Sequence, residues 1–312
     1  MPTKRTRHTL AATVVTSAVA ALALTGCTTA SQDLGSTSGA SDDSSAAAVD
    51  LDAIQKDDAV AALVPDAVSE DGTLTLGSNL QYAPVEFLDA DGTTPVGIDI
   101  DIATALAKTM GLELKVENAG FDSIIPAIGS KYEAGMSAFS VTPERLKTVN
   151  MVSYFTAGSQ YAVAKGNPEG ISPDDLCGVS VGVQTGTIQQ DELAELSKTC
   201  TDEGKDAVDV LPYDSQSDVT TNLAGGKLQA MYADSPIIAY AVEQTGGSVE
   251  ALGEITDAAP YGVVVAKDDE ELAKAVQAGL QKLMDDGVLA QVADTWGSGA
   301  AVLDTAELNP AG

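Results

Sequence analysis

Histidine and arginine are scarce in this sequence. Its 312 residues hold one histidine, His8, and three arginines, of which only Arg145 lies beyond residue 7. Cations as a class are few, 16 Lys plus Arg against 46 Asp plus Glu, for a formal charge of −30. Nucleic acid and anionic membrane surfaces both require basic patches that displace counterions, so neither is a partner for the body of the chain. Cysteines number three, Cys27, Cys177 and Cys200, and none falls in a C-x-x-C or Cys/His pattern that would bind a metal. No metal site or cofactor is expected.

The start of the chain reads as an export leader. Lys4, Arg5 and Arg7 make a basic segment, Leu10 to Leu24 an apolar run, and small residues follow. That run is too short for a membrane span. It closes on "LTGC", Leu24 to Cys27, which resembles the lipobox after which bacterial lipoproteins are cut and their cysteine acylated. The expected leader is 1–26, with Cys27 the lipidated N-terminus. Cleavage there leaves 13 cations against 46 acids, a formal charge of −33, and removes the only histidine. Triads, Cys–His pairs and His-bearing zinc sites are then excluded. In an oxidising compartment Cys177 and Cys200 read as a disulfide.

Residues 28 to 48 are Ser, Thr, Ala, Gly and Asp with almost no large apolar residue, the composition of a tether, so 27–70 is expected to be acylated Cys plus flexible linker with at most a short helix after residue 50. A coil of this length reaches about 25 Å. The remainder alternates strand and helix signals and predicts an α/β fold. Strands are expected at "GTLTLGS", "LELKVEN", "AGMSAFS", "YAVAKG", "VSVGVQTG", "QAMYAD" and "YGVVVAK", and a hairpin around "DADG". Helices are expected in "GIDIDIATALAKTMG", in "FDSIIPAIGSK" with Asp122 as its cap, at 187–198, 215–225 and 235–244, and through the C-terminal "DEELAKAVQAGLQKLMDDGVLAQVADTWG".

Three local patterns carry chemistry. In "SVTPER" Thr142 reads as a helix cap with Pro143 in the first turn, which puts Arg145 where a helix dipole prefers an acid. Either Arg145 pairs at the surface with Glu144 or a later acid, a job lysine does equally well, or its planar fork grips a carboxylate. "VQTGTIQQ" has a glycine turn and a helix opened by Thr187, with Gln190 completing a capping box. Its amides either receive an anion or only form a turn. Asp234 in "YADSP" is either a helix cap or an acceptor for an ammonium group. Tyr82 and Phe121 stand at exits from strands, and Trp296 reads as packing.

These residues, with "GSNLQYAPVEF", "FDSIIPAIGSKY", "MSAFSVTPERLKTV", "GVSVGVQTGT", "YADSP" and "YGVVVAKDDEELAKAV" in this order, resemble the family 3 extracytoplasmic solute-binding proteins of polar amino-acid ABC transporters, most closely an actinobacterial lipoprotein branch. The resemblance implies an α/β, two-lobed, type II periplasmic-binding-protein-like fold with a two-strand hinge. One lobe would be 71–160 plus 262–312 and the other 161–261. It further implies that Arg145 holds the ligand α-carboxylate with Ser140 and the Thr187–Ile188 helix start. Ser137, Ala138 and Asp234 would meet the α-amino group, and Tyr82 and Phe121 would be aromatic walls. Asn79 stands where binders of basic amino acids have Asp, which favours a neutral polar amino acid. The implied partners are a free amino acid, a membrane permease, and the membrane through the lipid anchor, for a monomer on the outer face of the cell membrane. The expected activity is binding and uptake, without catalysis. A dehydratase or lyase on the same fold, or a sensory receptor, are the contrasting readings.

Overall fold

A computed structural model describes residues 49–311. The leader and Cys27 lie outside the described residues. Two short helices, α1 (Asp58–Ala61) and α2 (Asp66–Ser69), precede β1 (Thr73–Ser78). A small antiparallel sheet follows, β2 (Gln81–Tyr82), β3 (Glu86–Leu88) and β4 (Pro95–Val96), and then α3 (Ile98–Met110), β5 (Glu113–Asn118), α4 (Phe121–Ala127) and β6 (Ala134–Gly135). The chain continues through β7 (Val149–Ala164), β8 (Ser180–Gln184), α5 (Ile188–Asp202), β9 (Asp209–Tyr213), α6 (Gln216–Ala224) and β10 (Ala230–Asp234). It ends in α7 (Ser235–Gln244), β11 (Val249–Ala266), α8 (Glu270–Asp285) and α9 (Val288–Thr295).

Eight strands form one sheet in the order β5-β1-β6-β11-β7-β10-β8-β9. At one end β1 pairs in parallel with β5 and β6, and at the other β8 pairs in parallel with β9 and β10. Antiparallel β7 and β11 join the two parallel halves: β10 pairs with Ser159 to Val163 of β7, and β6 with Val264 and Val265 of β11. Their mutual ladder runs from Val249 opposite Ala164 to Ala266 opposite Val149 and is irregular around Thr256. Gly158 sits at that irregularity, where a Cβ would lie 2.5 Å from the Thr256 carbonyl oxygen. Only glycine allows the two strands to approach so closely.

The helices form where apolar residues recur at helical spacing. Ile98, Ile102, Leu106 and Met110 make the buried stripe of α3, and Gly111, with φ +76°, ends the helix in the left-handed conformation. A main core gathers Leu74, Leu76, Ile102, Leu106, Val276 and Leu280 between the first parallel half and its helices, and a second gathers Val163, Val181, Val183 and Leu193 under α5. The disulfide between Cys177 and Cys200 is formed and ties the loop before β8 to α5.

Several sequence expectations need correction. Residues 51–70 are not tether: Val60, Val64 and Val68 are buried against the main core, and Lys108 Nζ donates to the Leu51 carbonyl at 2.8 Å. Gly120, not Asp122, stands at the cap position of α4, and Asp122 lies in its first turn. The C-terminal helix is two helices, because Gly287 with φ +74° takes a left-handed conformation between α8 and α9. "AGMSAFS" contributes only two residues to the ladder, whereas β7 and β11 extend well beyond their predicted apolar cores. Among the described residues no helix is long and apolar enough to cross a membrane, and no cluster of His, Cys, Asp or Glu could hold a metal.

Candidate functional site

A small cleft lies between the two parallel halves, lined by Tyr82, Phe121, Ala138, Ser140, Arg145, Thr187, Ile188, Gln189 and Asp234. Eight of these nine residues were singled out from the sequence. Seven come from the end of a strand or the start of a helix, where the chain turns and backbone groups are left without ladder partners, and Ala138 and Ser140 lie in the segment that follows β6.

Arg145 opens a single 3-10 turn, Arg145–Lys147, rather than an α-helix. Glu144, not Thr142, holds the cap position of that turn and makes no side-chain capping bond; Thr142 Oγ1 accepts from Arg145 N at 3.2 Å from one turn earlier, and one turn has almost no dipole to oppose a cation. The surface-pair reading of Arg145 fails, because Glu144 pairs with Lys147 and no carboxylate pairs with Arg145 among the described residues. Its guanidinium instead donates to the carbonyls of Ser140 (2.9 Å) and Gly186 (3.4 Å), one from each side of the cleft. Its Cζ lies 5.5 Å from the centroids of both Phe121 and Phe139, two rings stacked 4.8 Å apart. Burial lowers the Arg145 pKa, against the opposing pull of the Asp234 and Asp191 charges. A half-buried guanidinium with neutral partners and an aromatic backing is suited to accept an anion.

Asp234 is the last residue of β10 and holds the cap position of α7, yet its side chain makes no capping hydrogen bond. Tyr82 donates its hydroxyl to Asp234 Oδ2 at 2.8 Å, and Gln189 Nε2 donates to Oδ1 at 2.8 Å. Burial raises the Asp234 pKa, and the donors Tyr82 and Gln189, with the Arg145 charge, act in the opposite direction. The cleft thus contains one buried anion and one half-buried cation that form no ion pair.

At the start of α5, Thr187 donates to the Gln184 carbonyl (2.7 Å) and accepts from Gln190 N (3.3 Å), while Gln190 Oε1 reaches back to Gly186 N (2.7 Å). This is the predicted capping arrangement shifted by one residue, and it leaves the amides of Ile188 and Gln189 without intrahelical partners. Ala138 adopts φ +50°, a left-handed conformation unusual for a residue other than glycine or asparagine.

Two expected site residues are turned away from the cleft. Asn79 Nδ2 donates to the Ala119 carbonyl (2.8 Å), and its Oδ1 accepts from Gln184 Nε2 (3.1 Å) across the two halves. Ser137 gives its hydroxyl to Glu86 Oε1 (2.8 Å), so that hydroxyl does not meet a ligand ammonium. Gln189, by contrast, lines the cleft and was missed, although its place one residue after Ile188 in the helix start was a usable signal. Trp296 packs edge-on against Phe87, 5.7 Å between centroids, and donates its indole N–H to Asp101.

Comparison with known proteins agrees with this geometry. Residues 74–299 match the sequence profile of the bacterial extracellular solute-binding proteins, family 3. The arginine-binding protein ArgT of Corynebacterium glutamicum is 33% identical over 252 residues, 80% of this chain and 82% of that protein. Among solved structures, an ancestral arginine-binding protein bound to arginine matches with a TM-score of 0.66 and 32% identity, covering 72% of this chain and 98% of that one. An ancestral arginine-binding protein bound to glutamine matches with the same TM-score and identity, covering 72% and 97%. The profile covers well over half of the sequence, and the chain belongs to the bacterial extracellular solute-binding proteins of family 3.

Proposed function

We propose that the protein is the amino-acid receptor of an ABC importer, binding a free amino acid outside the cytoplasm and presenting it to a membrane permease. The observation that carries this reading is the pair of unpaired opposite charges in one small cleft, Arg145 and Asp234. A zwitterion satisfies both at once: its carboxylate takes Arg145 and the helix-start amides of α5, and its ammonium takes Asp234. Tyr82 and Phe121 form the apolar walls, with Ser140, Ala138, Thr187 and Ile188 completing the shell. The protein is a binder and not an enzyme, in keeping with its named relatives.

Arg145 and Asp234 are the only ionisable side chains with opposite charges lining the cleft, and the zwitterion consumes both. With Asn79 locked to Gln184, no second acid is offered to a side-chain cation. A neutral polar side chain therefore fits best. Arginine is the second reading, favoured by the ligand named for the Corynebacterium relative. Lipid anchoring through Cys27 and a monomeric state complete the proposal. Support for the anchor is the order of basic segment, apolar run and "LTGC".

A thermal-shift screen of the mature protein against the common amino acids tests the receptor reading. Ligand at 100 times its dissociation constant adds about 2.7 kcal/mol. At least one amino acid is expected to raise the melting temperature, with glutamine or citrulline at or above arginine. If arginine binds more than a hundredfold tighter than either, the neutral preference is wrong; if none binds, the receptor reading is wrong.

Arg145→Met should weaken binding by at least a hundredfold, since loss of a charge-assisted bidentate contact costs roughly 3 kcal/mol. Unliganded stability should hold or rise, because an unpaired half-buried charge is removed. Affinity within tenfold of the wild type by calorimetry would exclude Arg145 as the carboxylate clamp. For the anchor, intact-mass analysis of membrane-extracted protein should show an acylated N-terminal Cys27, and Cys27→Ala should release the protein into the medium. An unmodified mass, or continued membrane retention of the variant, would refute it.

A further inference from the structure

The receptor reading leaves two fully buried acids without a role. Glu86 on β3 and Asp99 in the first turn of α3 are both 0% exposed. Ser137 Oγ donates to Glu86 Oε1 at 2.8 Å, Ala138 N donates to Asp99 Oδ2 at 2.9 Å, and Tyr154 OH donates to Asp99 Oδ1 at 2.6 Å. The fourth oxygen, Glu86 Oε2, has no donor among the described residues. No lysine or arginine pairs with either carboxyl among the described residues.

Two neighbouring carboxyls in an apolar interior cannot both ionise, so one proton stays. Placed on Glu86 Oε2 and donated toward Asp99, it leaves none of the four oxygens without a partner. Burial first, and then the Asp99 charge, hold Glu86 protonated well above the usual carboxylate range. Burial also pushes Asp99 up, to about 6, with the donors Tyr154 and Ala138 limiting the rise.

Two of the three donors, the Ser137 hydroxyl and the Ala138 N–H, come from one segment, and Ala138 is a wall of the cleft. Its left-handed φ of +50° is not a conformation alanine keeps unaided. The Asp99 carboxylate holds its N–H from behind, and that fixes the direction in which the peptide groups around Ala138 face the cleft.

We propose that Glu86 and Asp99 form a positioning pair for the amino-acid site, in which the Asp99 carboxylate pins the left-handed turn at Ala138 and Glu86 supplies the one proton the two share. The pair adds a single buried negative charge behind the wall that meets the ligand ammonium. The proposal rests on the receptor reading above. A second proton on the pair turns one Asp99 oxygen from acceptor to donor, which loosens Ala138 and removes that charge. Affinity then falls on acidification.

Stability moves the other way. Asp99 binds its proton more tightly folded than unfolded, so its contribution to folding improves as pH falls through about 6. The titratable groups facing the pair are Tyr154 on β7, Tyr82 on β2 and Asp234 on β10; Tyr261 on β11 lies next to Tyr154, their centroids 6.4 Å apart, and Asp101 follows on α3 with its carboxylate on the Trp296 indole. The three tyrosines are pushed further up by burial and do not titrate near neutrality. Asp234 is the remaining acid that touches the cleft.

The test is calorimetric titration with L-glutamine and L-arginine at pH 7.5, 6 and 5, together with thermal unfolding of the unliganded protein. The wild type is expected to lose about tenfold in affinity from pH 7.5 to 5. Asp99→Asn should already be weakened about tenfold at pH 7.5, keep only the pH dependence due to Asp234, and melt no lower than the wild type. Glu86→Gln, with a fixed N–H donor in place of the shared proton, is the conservative rescue and should bind far better than Glu86→Leu. An Asp99→Asn variant that binds within twofold of a binding-competent wild type with the same pH profile would overturn the pairing role alone. So would a wild-type affinity unchanged down to pH 5, a result that needs no variant to fold. Parallel losses of affinity and melting temperature at every pH would make the pair merely structural. A wild type that binds no amino acid would remove this inference together with the receptor reading.

Discussion

The central constraint on this molecule is that two opposite charges, Arg145 and Asp234, are drawn from water into one cleft without reaching each other. A buried charge lacking a counter-charge costs several kcal/mol even after relaxation. The chain meets part of that cost with neutral partners: carbonyls of Ser140 and Gly186 and two stacked rings for the guanidinium, and Tyr82 and Gln189 for the carboxylate. Those partners hold each charge in place without neutralising it. A direct ion pair would have been cheaper and would have left nothing for a zwitterion to satisfy.

The scaffold follows from the same requirement. Each charge sits at the edge of a different parallel half, and the long pair β7 and β11 is what connects the halves. Across the cleft they touch through hydrogen bonds of Tyr82 to Asp234, Gln184 to Asn79, Arg145 to the Gly186 carbonyl and Ser217 to the Gln81 carbonyl, and through the rings of Phe87 and Tyr240, 6.0 Å apart. Each such bond is worth about 1 kcal/mol net. A guest that bridges both sides adds to these contacts and so favours the closed arrangement, which is how a receptor converts binding into a shape that a permease can read.

Much of the site was legible because its residues lie at local signals. Thr142-Pro143 before Arg145, Gly186 before Thr187 and Asp234 before Ser235-Pro236 mark chain turns where side chains and amides stand free. The resemblance then implied partners that spacing alone does not specify, while the side chains of Asn79 and Ser137 bond to Gln184 and Glu86. The Glu86 and Asp99 pair was invisible in the sequence: thirteen positions separate the two, and only the β3–β4 hairpin and the entry to α3 bring them together. The connecting strands were cut short in prediction because Asp257, Gly253 and Pro260 interrupt β11, and β9 was missed because it contains Pro212. Pairing across a sheet, which no local window contains, sustains these strands.

In the proposed receptor the cleft reads both ends of a zwitterion, one with each charge. The most direct measurement compares, by calorimetry at pH 7.5, the best-binding amino acid with its α-carboxamide and its N-acetyl derivative. Each change removes one charge and leaves the side chain intact. The prediction is a loss of at least a hundredfold for both, the carboxamide losing its partner at Arg145 and the N-acetyl derivative its partner at Asp234. Retention of affinity within tenfold by either derivative would contradict the assignment of the corresponding charge.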